Sequence, residues 1–526
     1  MSSNVQSQRV TRRNILRGAV ILAGASALPL LAACSGQQPA ASPTTAAAPT
    51  SAPAATQAPA ATQAPAATTA AKPTAAATTA AQPTAAAAAT TAPATGAVAA
   101  VDPKSVKITG KLSILQEKDY NPIHNDNLNK EVTKFAGDNG WALDLSYMEA
   151  FVGGGDFYQK MAAAVASNTQ PDMMFGTKDA FILQYNKLAQ PVDDVVNWAK
   201  GQFGDPIQGI QLANVIDGKW YGVPFFTRVG GYWARKSWFD AINFDITKNH
   251  SFQEWADASM QVTDASKKRW GWGITVNKSG DGTTNVHNPT FEAGARFTDE
   301  TGTKVVYNSP ETVAGYQWLK DIYQGDKYAK MRPPGLDAWT DTSNNEALIA
   351  GTIGFTSNAG TLFAQAVKQV PDIGKDIFLV PQPSGSVGAK QTLTSAGGAT
   401  LNIFAGAKNP DASKAVIEHL LDKTIQKQIW STSSGYACPA FKWGWDEPEV
   451  TSSINNVDKI FQQICYGEQS FSWQPGPGPR LWINAISQAV IETSTMAKIL
   501  TGTSVQDAVA AAHKAIQDQY DQYKGK

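Results

Sequence analysis

Residues 217–241 constrain the fold of this 526-residue chain more than any other stretch. Asp217-Gly218 is hairpin-turn chemistry, because glycine accepts a positive φ at little cost. The residues that follow, Lys219 to Phe226, are rich in aromatic and β-branched types, as a strand requires. Pro224 has no N–H to give a ladder, so a strand here is expected to lie at a sheet edge or to stop at that point. Gly230-Gly231 then permits a bend before a second aromatic strand beginning at Tyr232 and Trp233. The pattern is strand, bend, strand, with Arg228, Tyr232 and Trp233 around the bend. Two readings fit it: a hinge between two lobes with a cleft beside it, or an ordinary β-hairpin with core aromatics.

Length separates these readings only in part. A chain of 526 residues predicts two or more domains rather than one core. Its 44 basic and 44 acidic residues cancel, so no global field favours nucleic acid or an anionic membrane face. Aromatics are plentiful, with 15 Trp, 14 Tyr and 20 Phe, and Trp is often a stacking surface for ligands. Of the three cysteines, Cys438 and Cys465 are either a disulfide in an oxidising compartment or two separate buried thiols.

The first 33 residues read as a signal peptide. Arg12-Arg13 lies in a basic segment, and an apolar run from Gly18 to Ala33 follows that is short for a bilayer span. The adjacent arginines resemble a twin-arginine signal, with chance adjacency in an ordinary secretory signal as the alternative. Leu31-Ala32-Ala33-Cys34 matches a bacterial lipobox, which makes Cys34 the expected lipidation site. An ordinary signal peptide with an incidental cysteine is the competing reading. Two or more acyl chains hold a protein stably where one does not, so the mature chain is expected to be moored to the outer face of the cytoplasmic membrane. Residues 34–103 are almost entirely Ala, Thr, Pro, Gln and Ser, cannot bury a core, and predict a disordered tether. Flexible-coil scaling gives roughly 70 such residues a reach of about 45 Å.

The remainder alternates strand and helix patterns. Val106 to Gln116 predicts a strand with the polar run Glu117-Lys118-Asp119 at its carboxyl end, where open α/β sheets bind ligands. Leu128 to Asn139 predicts a helix, Leu143 to Tyr147 a strand, and Phe157 to Ser167 a helix after Gly153-Gly154-Gly155. The three glycines lack the spacing of a phosphate or dinucleotide loop. Ser251 with Glu254 three residues on is a capping box.

Several stretches resemble the sugar-binding group of extracellular solute-binding proteins that feed ABC importers, the group that includes maltose-binding protein. They are Asp217-Gly218-Lys219 through Pro224-Phe225, Pro171-Asp172, Trp270-Gly271-Trp272-Gly273, Asn308-Ser309-Pro310-Glu311, Gly351 through Gly360, Pro381-Gln382-Pro383 and Leu500-Thr501-Gly502. The resemblance implies an α/β periplasmic-binding-protein-like fold, two doubly wound lobes joined by a three-segment hinge. Lobe one would take residues 104–226 and 398–447, and lobe two 231–394 and 450–526. Thr227, Gly230 and Gly231 would form the first crossing, Gly397 and Gly398 the second, and residues 446–449 the third. It also implies a sugar-binding cleft. Glu117, Asp119, Asp179, Arg228 and Asn358 are its candidate polar groups, and Tyr232, Trp233, Trp473 and Trp482 its ring faces. This sequence departs from the relatives at Gly176 and Gly360, where an aromatic often stands; Trp339 is a substitute ring.

The implied partners are a sugar, ABC permease subunits and, through Cys34, the membrane, with no nucleic acid, no cofactor and a monomeric body. A tethered sugar-recognition protein for chemosensing or adhesion is the alternative. An enzyme fits less well. The five His show no metal-ligand spacing, Gly-x-Ser-x-Gly does not occur, and Asp193-Asp194 reads as a solvated helix start rather than a glycosidase pair.

Overall fold

The two strands flanking Val229 belong to different sheets. The computed structural model describes residues 98–119, 122–149, 155–178, 180–228, 230–385, 398–433, 436–451, 455 and 481–525. Six strands form the first sheet: β1 (Leu112–Lys118), β2 (Leu143–Glu149), β3 (Met173–Gly176), β6 (Val223–Arg228), β11 (Gly398–Ile403) and β12 (Ala437–Pro439). Their spatial order is β12-β6-β11-β3-β1-β2. Four strands form the second: β7 (Gly230–Arg235), β8 (Trp270–Trp272), β9 (Ile353–Ala359) and β10 (Ile377–Val380), in the order β10-β7-β9-β8. The hairpin reading of residues 217–241 therefore fails at β6 and β7, which do not pair. It survives only in the short ribbon of β4 (Val215–Ile216) and β5 (Lys219–Trp220), turned by Asp217 and Gly218 at φ 51° and 75°.

Three expectations are corrected by the sheets. Pro224 lies in an interior strand, not at an edge. It is tolerated because β12 pairs only with Phe226 to Arg228 and because the β11 register slips between Ala399 and Thr400, opposite Pro224. Only β2, β1 and β3 of the first sheet run parallel to their neighbours; β11 enters antiparallel between β3 and β6. Gly230 and Gly231 are not bend residues but the first two positions of β7, opposite Ala359 and Asn358.

Helices begin and end where their caps dictate. The helix Pro122–Asp138 starts six residues earlier than the sequence pattern predicts, because proline suits the first helical turn. It stops where Gly140 adopts φ 70°. The Ser251–Glu254 capping box forms in full at the start of Phe252–Val262. Ser309 and Ser504 cap the helices Pro310–Gln324 and Val505–Tyr523 in the same way, each accepting from a backbone N–H three residues on.

The second sheet is covered on both faces. Tyr232 and Ala234 point to one side, into a core where the Trp255 and Phe355 rings stack at 4.0 Å and 3°. Trp233, Ile353 and Leu379 belong to an apolar cluster continuous with the core of the first sheet. The chain leaves the first sheet for the last time later than residues 446–449. The helix Pro448–Thr451 still packs on Lys423–Ser433, while the Asn455 amide bonds to Gly374, Lys375 and Ile377 carbonyls beside the second sheet.

Candidate functional site

The carboxyl ends of β1, β3 and β6 bring charged side chains together. Glu117, near the end of β1, is 1 % exposed and accepts from the Thr177 N–H and Oγ1 at 2.5 and 2.8 Å, just past β3. Lys178 Nζ lies 2.9 Å from its other oxygen. This arrangement accounts for Gly176. A Cβ there would sit 2.7 Å from Glu117 Oε2, so the glycine makes room for a folded-back carboxylate where relatives carry a ring.

A second pair lies beside the first. Arg228, the last residue of β6, donates to Asp119 Oδ2 at 3.0 Å, and Tyr436 O–H donates to the same oxygen at 3.2 Å. Asp119 is itself held by Asn125, whose Oδ1 accepts the Asp119 N–H and whose Nδ2 donates to the Glu117 carbonyl. Beneath the pair, the buried His124 ring meets Phe226 and Tyr436 edge-on. Burial holds the His124 pKa down at about 4, with Asp119 opposing and Arg228 adding to the shift, so this imidazole is neutral at pH 7. Burial likewise pushes the Tyr436 hydroxyl up, which keeps it a donor.

Across the β6–β7 passage, the tip of β9 and the helices Gly280–Glu292 and Ser343–Ile349 carry a carboxamide network. Asp281 Oδ2 accepts from Asn344 and Asn358, both at 2.7 Å, and Asn358 Nδ2 also donates to Asn345 Oδ1. Asn344 ties the network to β9 through the Ser357 carbonyl at 2.9 Å. Burial, then the nearby Asp341, raises the Asp281 pKa to about 7. Among the described residues no group of three or more His, Cys, Asp or Glu is placed to hold a metal ion.

A family model for bacterial extracellular solute-binding proteins matches residues 150–427, more than half of the chain. The chain belongs to that family. No curated protein sequence matches it. Among solved structures, it resembles maltose-bound MalE3 of Thermotoga maritima at 18 % identity and a TM-score of 0.64, over 78 % of this chain and 100 % of that one. It resembles the GacH receptor of Streptomyces glaucescens at 20 % identity and 0.64, over 80 % and 100 %. A solute-binding protein of Agrobacterium vitis with bound D-mannitol aligns at 18 % identity and 0.63, over 79 % and 100 %. At these identities the likeness speaks to the fold alone.

In this solute-binding protein the polar candidates and the ring candidates part company. Glu117, Asp119 and Arg228 converge at the strand ends of the first sheet, and Asn358 lies near the end of β9 in the second. Among the described residues the rings do not join them. Tyr232 is 1 % exposed, stacked on Phe355 and bonded to Asn288, and Trp233 is fully buried on Phe363 with its Nε1–H given to the Asn358 carbonyl. Trp482 packs edge-on to Phe297 and Tyr520 in the second core. All three are core residues: Tyr232 and Trp233 alternate to opposite faces of a sheet that is covered on both, and the helix Leu481–Gln488 turns Trp482 inward. Trp339, the substitute ring, packs partly buried beside Ile353 and Gly273.

Thr227 and Gly398 are strand residues paired with each other, and a Cβ on Gly398 would meet Ile210 at 2.9 Å. Asp179, Trp473, Gly397, Cys34 and Cys465 lie outside the described residues. Cys438 is buried in β12. Sequence reading missed Lys178 as a partner of Glu117, and it missed Tyr436, Asn125 and the Asp281 network. Only Lys178 carried a signal, its place one residue from the β3 tip.

Proposed function

We propose that this protein is the substrate-binding lipoprotein of an ABC importer, taking up a sugar or polyol between its two lobes and handing it to membrane permease subunits. The observation that carries this reading is the pairing of two cations at the strand ends of the first sheet with carboxylates, Lys178 with Glu117 and Arg228 with Asp119. Each pair cancels as a charge yet keeps N–H donors and carboxylate acceptors. That combination suits hydroxyl groups, which need both partners, better than an ionic ligand, which needs an uncompensated field. Structural neighbours carrying maltose and D-mannitol support the same ligand class.

The sheet order supports the mechanism. One strand ends in lobe one at Arg228 and the next begins in lobe two at Gly230, so relative motion is confined to a very short passage. A ligand touching both lobes closes them by its differential affinity for the closed form. Lipidation at Cys34 and the Ala/Thr/Pro tether would keep the body near its permease while letting it sample solutes. The test is a melting-temperature screen of the purified protein against maltose, D-mannitol, D-tagatose, amino acids and phosphate. A sugar or polyol should raise the melting temperature. A rise with amino acids or phosphate alone would overturn the reading. Release of the protein from the membrane fraction by Cys34→Ala tests the anchor.

A further inference from the structure

The helix Gly280–Glu292 presents one polar face to the second sheet. Asp281, Asn285, Asn288 and Glu292 recur at helical spacing, and the last three are 1 %, 4 % and 0 % exposed. Three of the four have partners in view. Asp281 holds Asn344 and Asn358, Asn288 donates to the Tyr232 hydroxyl at 3.2 Å, and Glu292 accepts the Gly385 N–H at 3.1 Å. Asn285 is the exception: neither its Oδ1 nor its Nδ2 has a hydrogen-bond partner. Leaving both ends of a buried amide unpaired forfeits the hydrogen bonds each made to water, so selection for stability alone disfavours asparagine here.

Its neighbours on the helix say where the amide points. Asp281 reaches Asn358 and Asn288 reaches Tyr232, and in the sheet Asn358 lies opposite Gly231 and Tyr232 opposite Ser357. Asn285 stands between them on the same helix face, one turn from each, and so lies beside the paired ends of β7 and β9, where the chain has just crossed from the first sheet. Gly230, on the Tyr232 side of β7, places no side chain there, and a Cβ on it would meet nothing nearer than 3.9 Å.

We propose that Asn285 is a ligand-binding residue of the second lobe, its amide N–H and carbonyl pairing with two adjacent hydroxyls of a polyol. The inference rests on the sugar or polyol reading above and names the group in lobe two that does the pairing. An amide offers one donor and one acceptor side by side, which matches a vicinal diol and not a lone anion.

The experiment compares the full wild-type chain with Asn285→Leu, close in size and unable to hydrogen-bond. Melting is followed in buffer, and maltose and D-mannitol are titrated calorimetrically. The expected result is opposed changes: Asn285→Leu melts at or above wild type without ligand, yet binds the sugar at least about tenfold more weakly. A variant that melts lower in buffer shows a paired, structural amide and overturns the proposal. Unchanged affinity overturns it as well. Should Asn285→Leu yield no folded protein, the smaller Asn285→Ala provides the same affinity comparison. If wild type binds neither sugar, both this inference and the reading beneath it fall. If wild type binds and the variant binds equally, only this inference falls.

Discussion

Arg228 and Asp119 are 109 positions apart in sequence and 3.0 Å apart in space, joining the last residue of one lobe's strand to the carboxyl end of another. The pair sits where the chain leaves the first sheet, beside the passage to β7. Asp119→Ala leaves a largely buried guanidinium without its carboxylate, and a stability loss of about 1–3 kcal/mol is expected by urea unfolding. Arg228→Ala should cost less than Asp119→Ala. In the double variant the losses should fall short of additive, which a double-mutant cycle reads directly.

Gly176 is expected to tolerate no side chain without disturbing Glu117. In Gly176→Ala the new Cβ meets the carboxylate at 2.7 Å, forcing it off the Thr177 N–H and hydroxyl. We expect a loss of about 1–3 kcal/mol and weaker sugar binding, measured by urea unfolding and calorimetry. Gly176→Ala combined with Glu117→Gln should recover none of the affinity if the carboxylate itself contacts ligand.

Asp281 gives the protein a pH signature. Its folded pKa of about 7 lies above its ordinary value of 3.8, so the folded state holds this proton more tightly than the unfolded chain. The resulting stabilisation is full below about pH 4 and is lost as pH rises through about 7. Asp281→Asn keeps an acceptor for Asn344 and Asn358 but cannot ionise. The difference in unfolding free energy between variant and wild type should therefore grow from pH 4 to pH 7 and level off above pH 8. A flat difference would place the carboxylate in a solvated setting.

Trp482 separates core from site. Its ring lies between Phe297 and Tyr520, so Trp482→Ala should lower stability by about 3–5 kcal/mol. Sugar affinity of the folded protein should change by less than about threefold. A large loss of affinity with little loss of stability would return this ring to the cleft.

Local chemistry in the sequence determined a good deal. Asp217-Gly218 could only turn, Ser251 and Glu254 could only cap, and the strand–glycine–strand pattern around Arg228 marked a place where the chain changes partners. Each is decided by residues within a few positions of one another, which is why the family pattern is readable there. The ring candidates were decided elsewhere. Whether Tyr232, Trp233 and Trp482 face ligand or core depends on which surface of a sheet or helix is covered, and that covering comes from Phe355, Phe363 and Tyr520, distant in sequence. Gly176 looked like a lost stacking ring until Glu117, 59 residues earlier, was seen folded into its space. Asn285 carried no signal at all. Its meaning lies in the partners it lacks, and only the assembled tertiary structure determines which groups a buried amide can reach.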